Sequence, residues 1–144
     1  MKWVTRERPK TDRIACPWPV RKFIDPKAEI LYVPAEEVLE VARREGAHSF
    51  DAPGAKYHHR GQKCTFEVLL EEFQLGGDAA LVLLARIIHG ADIRGDEDMT
   101  PQSPGLRAIA EGFIDVEPDD RKLLEVGSRI YDALYASCRR QVGV

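Results

Sequence analysis

The sequence is short of cysteine, and its three copies (Cys16, Cys64 and Cys138) lie far apart with no CxxC pair. That excludes a disulfide framework and points to a reduced, cytoplasmic setting. Long apolar runs are also missing. Nothing approaches the roughly 18 consecutive apolar residues of a membrane span, and the N-terminal MKWVTRERPKTDR has no apolar stretch of the kind a secretory signal needs. There is no internal repeat, low-complexity tract or linker, so residues 1–144 read as one domain.

The overall charge is small, −3, but it is unevenly spread. Lys2, Arg6, Arg8, Lys10, Arg13, Arg21, Lys22 and Lys27 face only Glu7, Asp12 and Asp25 in the first 27 residues, so the remainder is strongly acidic. A basic head on an acidic body suits a small anion better than a nucleic-acid duplex, which wants a broad positive face. The bland alternative is an edge strand studded with solvated charges.

Periodicity predicts an α+β fold: a small N-terminal β-sheet and a predominantly helical C-terminal half. Strands are expected at Lys2–Arg6, Glu29–Val33 and Lys56–His59, with a helical turn from Pro19 to about Ile24 and a helix over Ala35–Glu45 stopped by Gly46. In the second half Phe66, Leu69, Leu70 and Phe73 repeat at helical spacing behind Thr65 as N-cap. Leu81, Leu84, Ala85 and Ile88 do the same after Asp78, and Leu106, Ile109, Ala110 and Phe113 mark a further helix. The last helix begins near Pro118 and carries a stripe from Leu123 to Cys138, which can serve either the core or a homodimer.

The segment KYHHRGQKCTFEVLLEEF (Lys56–Phe73) joins two histidines, a cysteine and an early-helix glutamate. Glu67 in a first helical turn is favoured as a carboxylate by the helix dipole. His58 and His59 are neighbours, so on a strand only one can face it. His89 lies on the buried stripe of its helix, and Asp92 follows one turn later on the same side if the helix continues. One imidazole of the pair with Glu67, His89 and Asp92 would make a divalent transition-metal site, for Zn, Fe, Mn or Ni. Ordinary roles compete: His89 closing a helix C-terminus, Asp92 a turn, Glu67 a first-turn acid. Cys64 just before a helix start has the setting of a lowered thiol pKa, and with Cys16 it could form a redox or oxyanion-reducing thiol pair, buried small hydrophobes being the commoner role. Asp12 or Cys64 could handle protons, whereas Cys138 reads as core.

The runs TRERPKTDRIACPWPVRKFID (Thr5–Asp25), FDAPG (Phe50–Gly54), HRGQKCTFEVLLEEF (His59–Phe73), HGAD (His89–Asp92), PQSPGL (Pro101–Leu106) and YDALYASCR (Tyr131–Arg139) resemble the C-terminal domain of ChrB-type chromate-resistance proteins. The likeness covers nearly the whole chain. It implies a cytoplasmic bacterial protein tied to chromate resistance, with no direct DNA binding by this domain and no membrane association. Among the histidines it selects His59, which falls inside the matching motif while His58 does not. The expected set is then His59, Glu67, His89 and Asp92 for a metal, with Asp12, Cys16 and Cys64 auxiliary. Arg6, Arg8, Lys10 and Arg13 are the groups that would receive an oxyanion such as chromate by charge-assisted hydrogen bonds. The functional expectation is a metal- or oxyanion-binding sensor module. The alternatives are a metal-dependent hydrolytic or redox enzyme with an open coordination position, and a purely structural interaction protein.

Overall fold

Trp3, Val4 and Thr5 are all buried in β1 (Lys2–Arg6), and three consecutive buried residues require a strand covered on both faces. The computed structural model, which describes Met1–Val144, places β1 at the centre of a three-stranded parallel sheet of order β2-β1-β3. β2 (Glu29–Val33) pairs along the full length of β1, with Val4 opposite Leu31, and β3 (His48–Ser49) pairs at Trp3 and Val4. The expected third strand at Lys56–His59 is therefore corrected to His48–Ser49. Asp51 takes a left-handed φ of 47°, which ends the extended run, and Tyr57 returns beside Phe50 in only one isolated bridge.

The crossover from β1 to β2 is helical from further back than Pro19. It comprises α1 (Thr11–Ala15), α2 (Pro17–Pro19) and a π-helical turn over Val20–Ile24. Neither proline can donate a backbone N–H, so the hydrogen-bond ladder is broken into short pieces rather than running as one helix. The second crossover passes through a 3₁₀ turn (Ala35–Glu37) into α3 (Val38–Glu45), which stops at Gly46 with φ 63° as the sequence predicts.

Four helices follow: α4 (Thr65–Glu72), α5 (Ala79–Asp92), α6 (Ser103–Val116) and α7 (Asp120–Gln141). Asp78 caps α5 by accepting from Leu81 N, and Asp119 caps α7 by accepting from Arg121 N and Lys122 N. At α4 the N-cap is Cys64, one residue before the expected Thr65, because the Thr65 hydroxyl is turned away to donate to Asp51 Oδ1 at 2.8 Å. None of the helices is long and apolar enough to cross a membrane.

The sheet divides two apolar cores. The smaller one, Val4, Val38, Val41, Ala52 and Ala55, lies under α3, and the larger one fills the space between the sheet and the helices. Trp3 belongs to an aromatic group with His48, Phe50, Tyr57 and Phe73, whereas Trp18 meets Phe23 and Tyr135 edge-on beside α7. The stripe of α7 is used within the chain, packed on α5, α1 and α2. It comes close at Gly127, where an added Cβ would lie 2.5 Å from Ile14 Cγ2. Gly127→Ala is expected to lower stability by roughly 1–3 kcal/mol through overpacking, measurable by thermal denaturation.

Candidate functional site: two carboxylate–histidine clusters at one helix N-terminus

Asp12 sits on α1 with its side chain fully enclosed, yet both its oxygens are engaged. Its Oδ2 accepts from Thr65 N at 2.6 Å and its Oδ1 from Phe66 N at 3.1 Å, so it satisfies the first free N–H groups of α4 from a remote element. The Cys16 thiol donates to Oδ1 at 3.5 Å. The imidazole of His59 then approaches from the solvent side. Its Nε2 lies 3.2 Å from Asp12 Oδ2, 3.1 Å from Asp92 Oδ2 and 3.7 Å from Asp51 Oδ1.

One N–H facing three carboxylates cannot satisfy them all, and the electrostatics reflect this. Hydrogen bonds to Asp12 and then Asp92 push His59 up to about 10 despite partial burial. Burial pushes Asp12 up to about 6, with Asp92 and Asp51 acting in the same direction and the His59 hydrogen bond opposing them. In the metal-free chain a proton on His59 therefore occupies a place where positive charge is strongly favoured.

Asp51 links this cluster to a guanidinium pair. Its Oδ2 is 3.5 Å from Arg13 Nε and 3.9 Å from Arg6, while Arg6 Nε donates to the Asp51 carbonyl at 3.0 Å. Arg13 Nε is buried and not aligned for a hydrogen bond with any group of the protein. Burial and then the adjacent Arg6 lower the pKa of Arg13. Arg6, Asp51, Pro53, His58 and His59 line an open pocket of about 240 Å³ above the cluster.

A second cluster lies on the other side of the α4 start. Glu67 closes a capping box by accepting from Cys64 N at 2.9 Å through Oε1. The same oxygen is 2.5 Å from His89 Nδ1, and His89 Nε2 is 2.6 Å from Asp96 Oδ2. Cys64 Sγ, a Glu67 oxygen and a His89 nitrogen all lie within 4.8 Å of one another. Gly90 makes this possible: a Cβ there would lie 2.3 Å from Ser103 Oγ and 3.0 Å from the Asp96 carbonyl, so only glycine lets the Asp96 loop close against α5. Burial lowers the His89 pKa, but the Glu67 and Asp96 hydrogen bonds outweigh it and the net shift is upward.

The four expected ligands are thus sorted into two groups. His59 and Asp92 join Asp12, and Glu67 and His89 join Cys64. His89 and Asp92 do lie one turn apart on α5, which runs through Gly90 as the spacing required. Of the expected basic rim, Arg6 and Arg13 converge on Asp51. Arg8 is committed elsewhere, donating to the carbonyls of Ile114, Glu117 and Pro118 and to Asp120, where it closes the α6–α7 corner. Lys10 is exposed just ahead of α1. The expected reactive Cys64 is corrected. The thiol is fully buried, and burial together with Asp12 pushes its pKa well up rather than down. Burial does the same to Cys16. Sequence reasoning missed Asp51, which it met only inside the FDAPG run, and Asp96, inside a stretch with no periodicity to follow.

The family described as "ChrB, C-terminal domain" matches residues 3–138 of this chain. Protein ChrB of Cupriavidus metallidurans is 37% identical over 135 residues, an alignment that covers 92% of this chain and 39% of that protein. The chain therefore spans about two fifths of the length of this curated relative. No solved structure matches.

Proposed function

Because this chain belongs to the ChrB C-terminal-domain family, we propose that it is a cytoplasmic, chromate-resistance-associated binding module for a divalent metal ion and a small oxyanion. Asp12, His59 and Asp92 hold the ion, with Asp51 beside them. A donor set of carboxylates and one imidazole suits manganese, iron or zinc more than a thiophilic ion. The observation that carries the reading is the convergence of three carboxylates on one imidazole nitrogen, an arrangement that a dication neutralises and a single proton does not. Arg6, which lines the pocket, supplies the anion contact through its guanidinium fork, and Arg13 stands behind it on Asp51. In this role the domain contacts neither DNA nor a membrane.

A metal-dependent enzyme is the second reading. It is favoured by the open pocket over His59, whose side chain is 45% exposed and so leaves room for a water or substrate at the ion.

The test is manganese(II) binding followed by electron paramagnetic resonance, in which bound ion is lost from the free-ion signal. The unaltered chain is expected to bind one ion, and His59→Ala and Asp92→Ala to weaken binding by at least about 100-fold, more than the loss of an outer-shell partner costs. Unchanged binding in both variants removes the site.

A further inference from the structure

We infer that Cys64, Glu67 and His89 form a second, separate metal site, of the thiolate–carboxylate–imidazole type that takes zinc or cobalt. It does not depend on the first site, since the two share no ligand.

The hydrogen-bond pattern of His89 is the starting point. Asp96 on Nε2 fixes that nitrogen as a donor, as outer carboxylates do for metal-bound histidines. Nδ1 then presents either a lone pair or a second proton to Glu67 Oε1 only 2.5 Å away. A lone pair facing a carboxylate is repulsive, so the gap demands a positive charge, from a proton or from a metal ion. Cys64 Sγ lies within 4.8 Å of both, so an ion holding its ligands at about 2.0–2.3 Å would draw the thiol in and part the Glu67 and His89 atoms.

The backbone holds these groups in place before any ion arrives. Glu67 is fixed by its capping bond to Cys64 N, and His89 by Asp96 and by the tight Gly90–Ser103 contact. Such pre-set donors reduce what ion binding must order. Access is also present. Glu67 lines a groove of about 450 Å³ between α4 and α5, with Lys63, Gln74 and Arg86 around it. Three protein ligands leave a fourth position for water or a small ligand entering through that groove.

Binding is balanced in protons. The Cys64 thiol gives its proton to solvent and becomes the thiolate ligand. His89 releases the Nδ1 proton that faces Glu67, also to solvent, keeps its Nε2 proton on Asp96, and turns the freed Nδ1 lone pair to the ion. The neutral thiol of the metal-free chain follows from its burial, and the ion supplies the charge that burial otherwise forbids.

The experiment is a cobalt(II) titration of the full, metal-free chain under anaerobic, reducing conditions. A thiolate-to-cobalt charge-transfer absorption in the near ultraviolet is expected, saturating at one ion per chain. Cys64→Ser should abolish it, His89→Ala should weaken it by at least about tenfold in affinity, and His59→Ala should leave it intact. X-ray absorption of the zinc-loaded, unaltered chain is expected to show a sulfur neighbour near about 2.3 Å and needs no variant. A titration without the charge-transfer band, a band that survives Cys64→Ser, or a zinc shell without sulfur overturns the site. Loss of the band in His59→Ala overturns its independence from the first cluster, whereas failure of manganese binding with the band retained defeats only the first.

Discussion

Asp12→Ala is expected to destabilise the domain by roughly 3–5 kcal/mol, the range for removing one partner from a buried charged network. The substitution strips the acceptor from Thr65 N and Phe66 N, both in fully buried residues at the first turn of α4. Each buried donor left without a partner costs about 1–3 kcal/mol. The Cys16 thiol and His59 lose a partner as well. One effect runs the other way, because Asp92 and Asp51 repel the Asp12 charge and its removal relieves them. That relief offsets part of the loss without cancelling two buried N–H groups. For a domain of this length the shift in midpoint is on the order of 10 °C, read by circular dichroism. Lys10→Ala, two residues away but exposed, should stay within about 0.5 kcal/mol. Similar stability for the two variants would mean that Asp12 does not anchor α4.

The second large effect is on metal affinity as a function of pH. His59 is held up to about 10 by Asp12 and Asp92, so at neutral pH the ion must displace its proton. Apparent manganese affinity should then rise about tenfold per pH unit from pH 7 to 9, about 100-fold in all. Below pH 6 the slope should steepen, because Asp12, pushed up to about 6 by burial, takes a second proton. The metal-free chain behaves in the opposite sense. A histidine whose folded pKa is raised contributes stability that is fully present below its unfolded value near 6.5 and is lost as pH climbs through about 10. Alkaline conditions should thus weaken the empty fold while tightening the ion. Titration calorimetry at several pH values measures the first trend, and thermal melts of the metal-free chain the second. An affinity flat from pH 7 to 9 would mean that His59 is not a ligand.

What could be read from the sequence was whatever repeats. Apolar spacing located α3, α5, α6 and α7, and Gly46 and Asp78 marked their ends by local chemistry that one residue suffices to specify. The helical character of Thr11–Pro19 was hidden, since two prolines in three residues argue against a helix, while in the fold short backbone hydrogen bonds and the buried Trp18 hold the turns together. The candidate site was legible residue by residue but not in its grouping. Adjacency on α5 made His89 and Asp92 look like partners for one ion. In the fold, α1 delivers Asp12 to one side of the α4 start and the loop after α5 delivers Asp96 to the other. Those are contacts across 53 residues and across an irregular loop, and no periodicity encodes them. Asp51 was concealed in the same way, its turn conformation being visible in DAPG while its contact with Thr65 was not.

The two tryptophans stand in separate aromatic groups, Trp3 in the central strand and Trp18 against α7, where its indole N–H donates to Asp132 at 2.8 Å. The polypeptide therefore carries one natural optical reporter in the sheet and another against the last helix. Single-tryptophan versions would let fluorescence follow sheet and helical layer independently, without any label attached near either cluster of ligands.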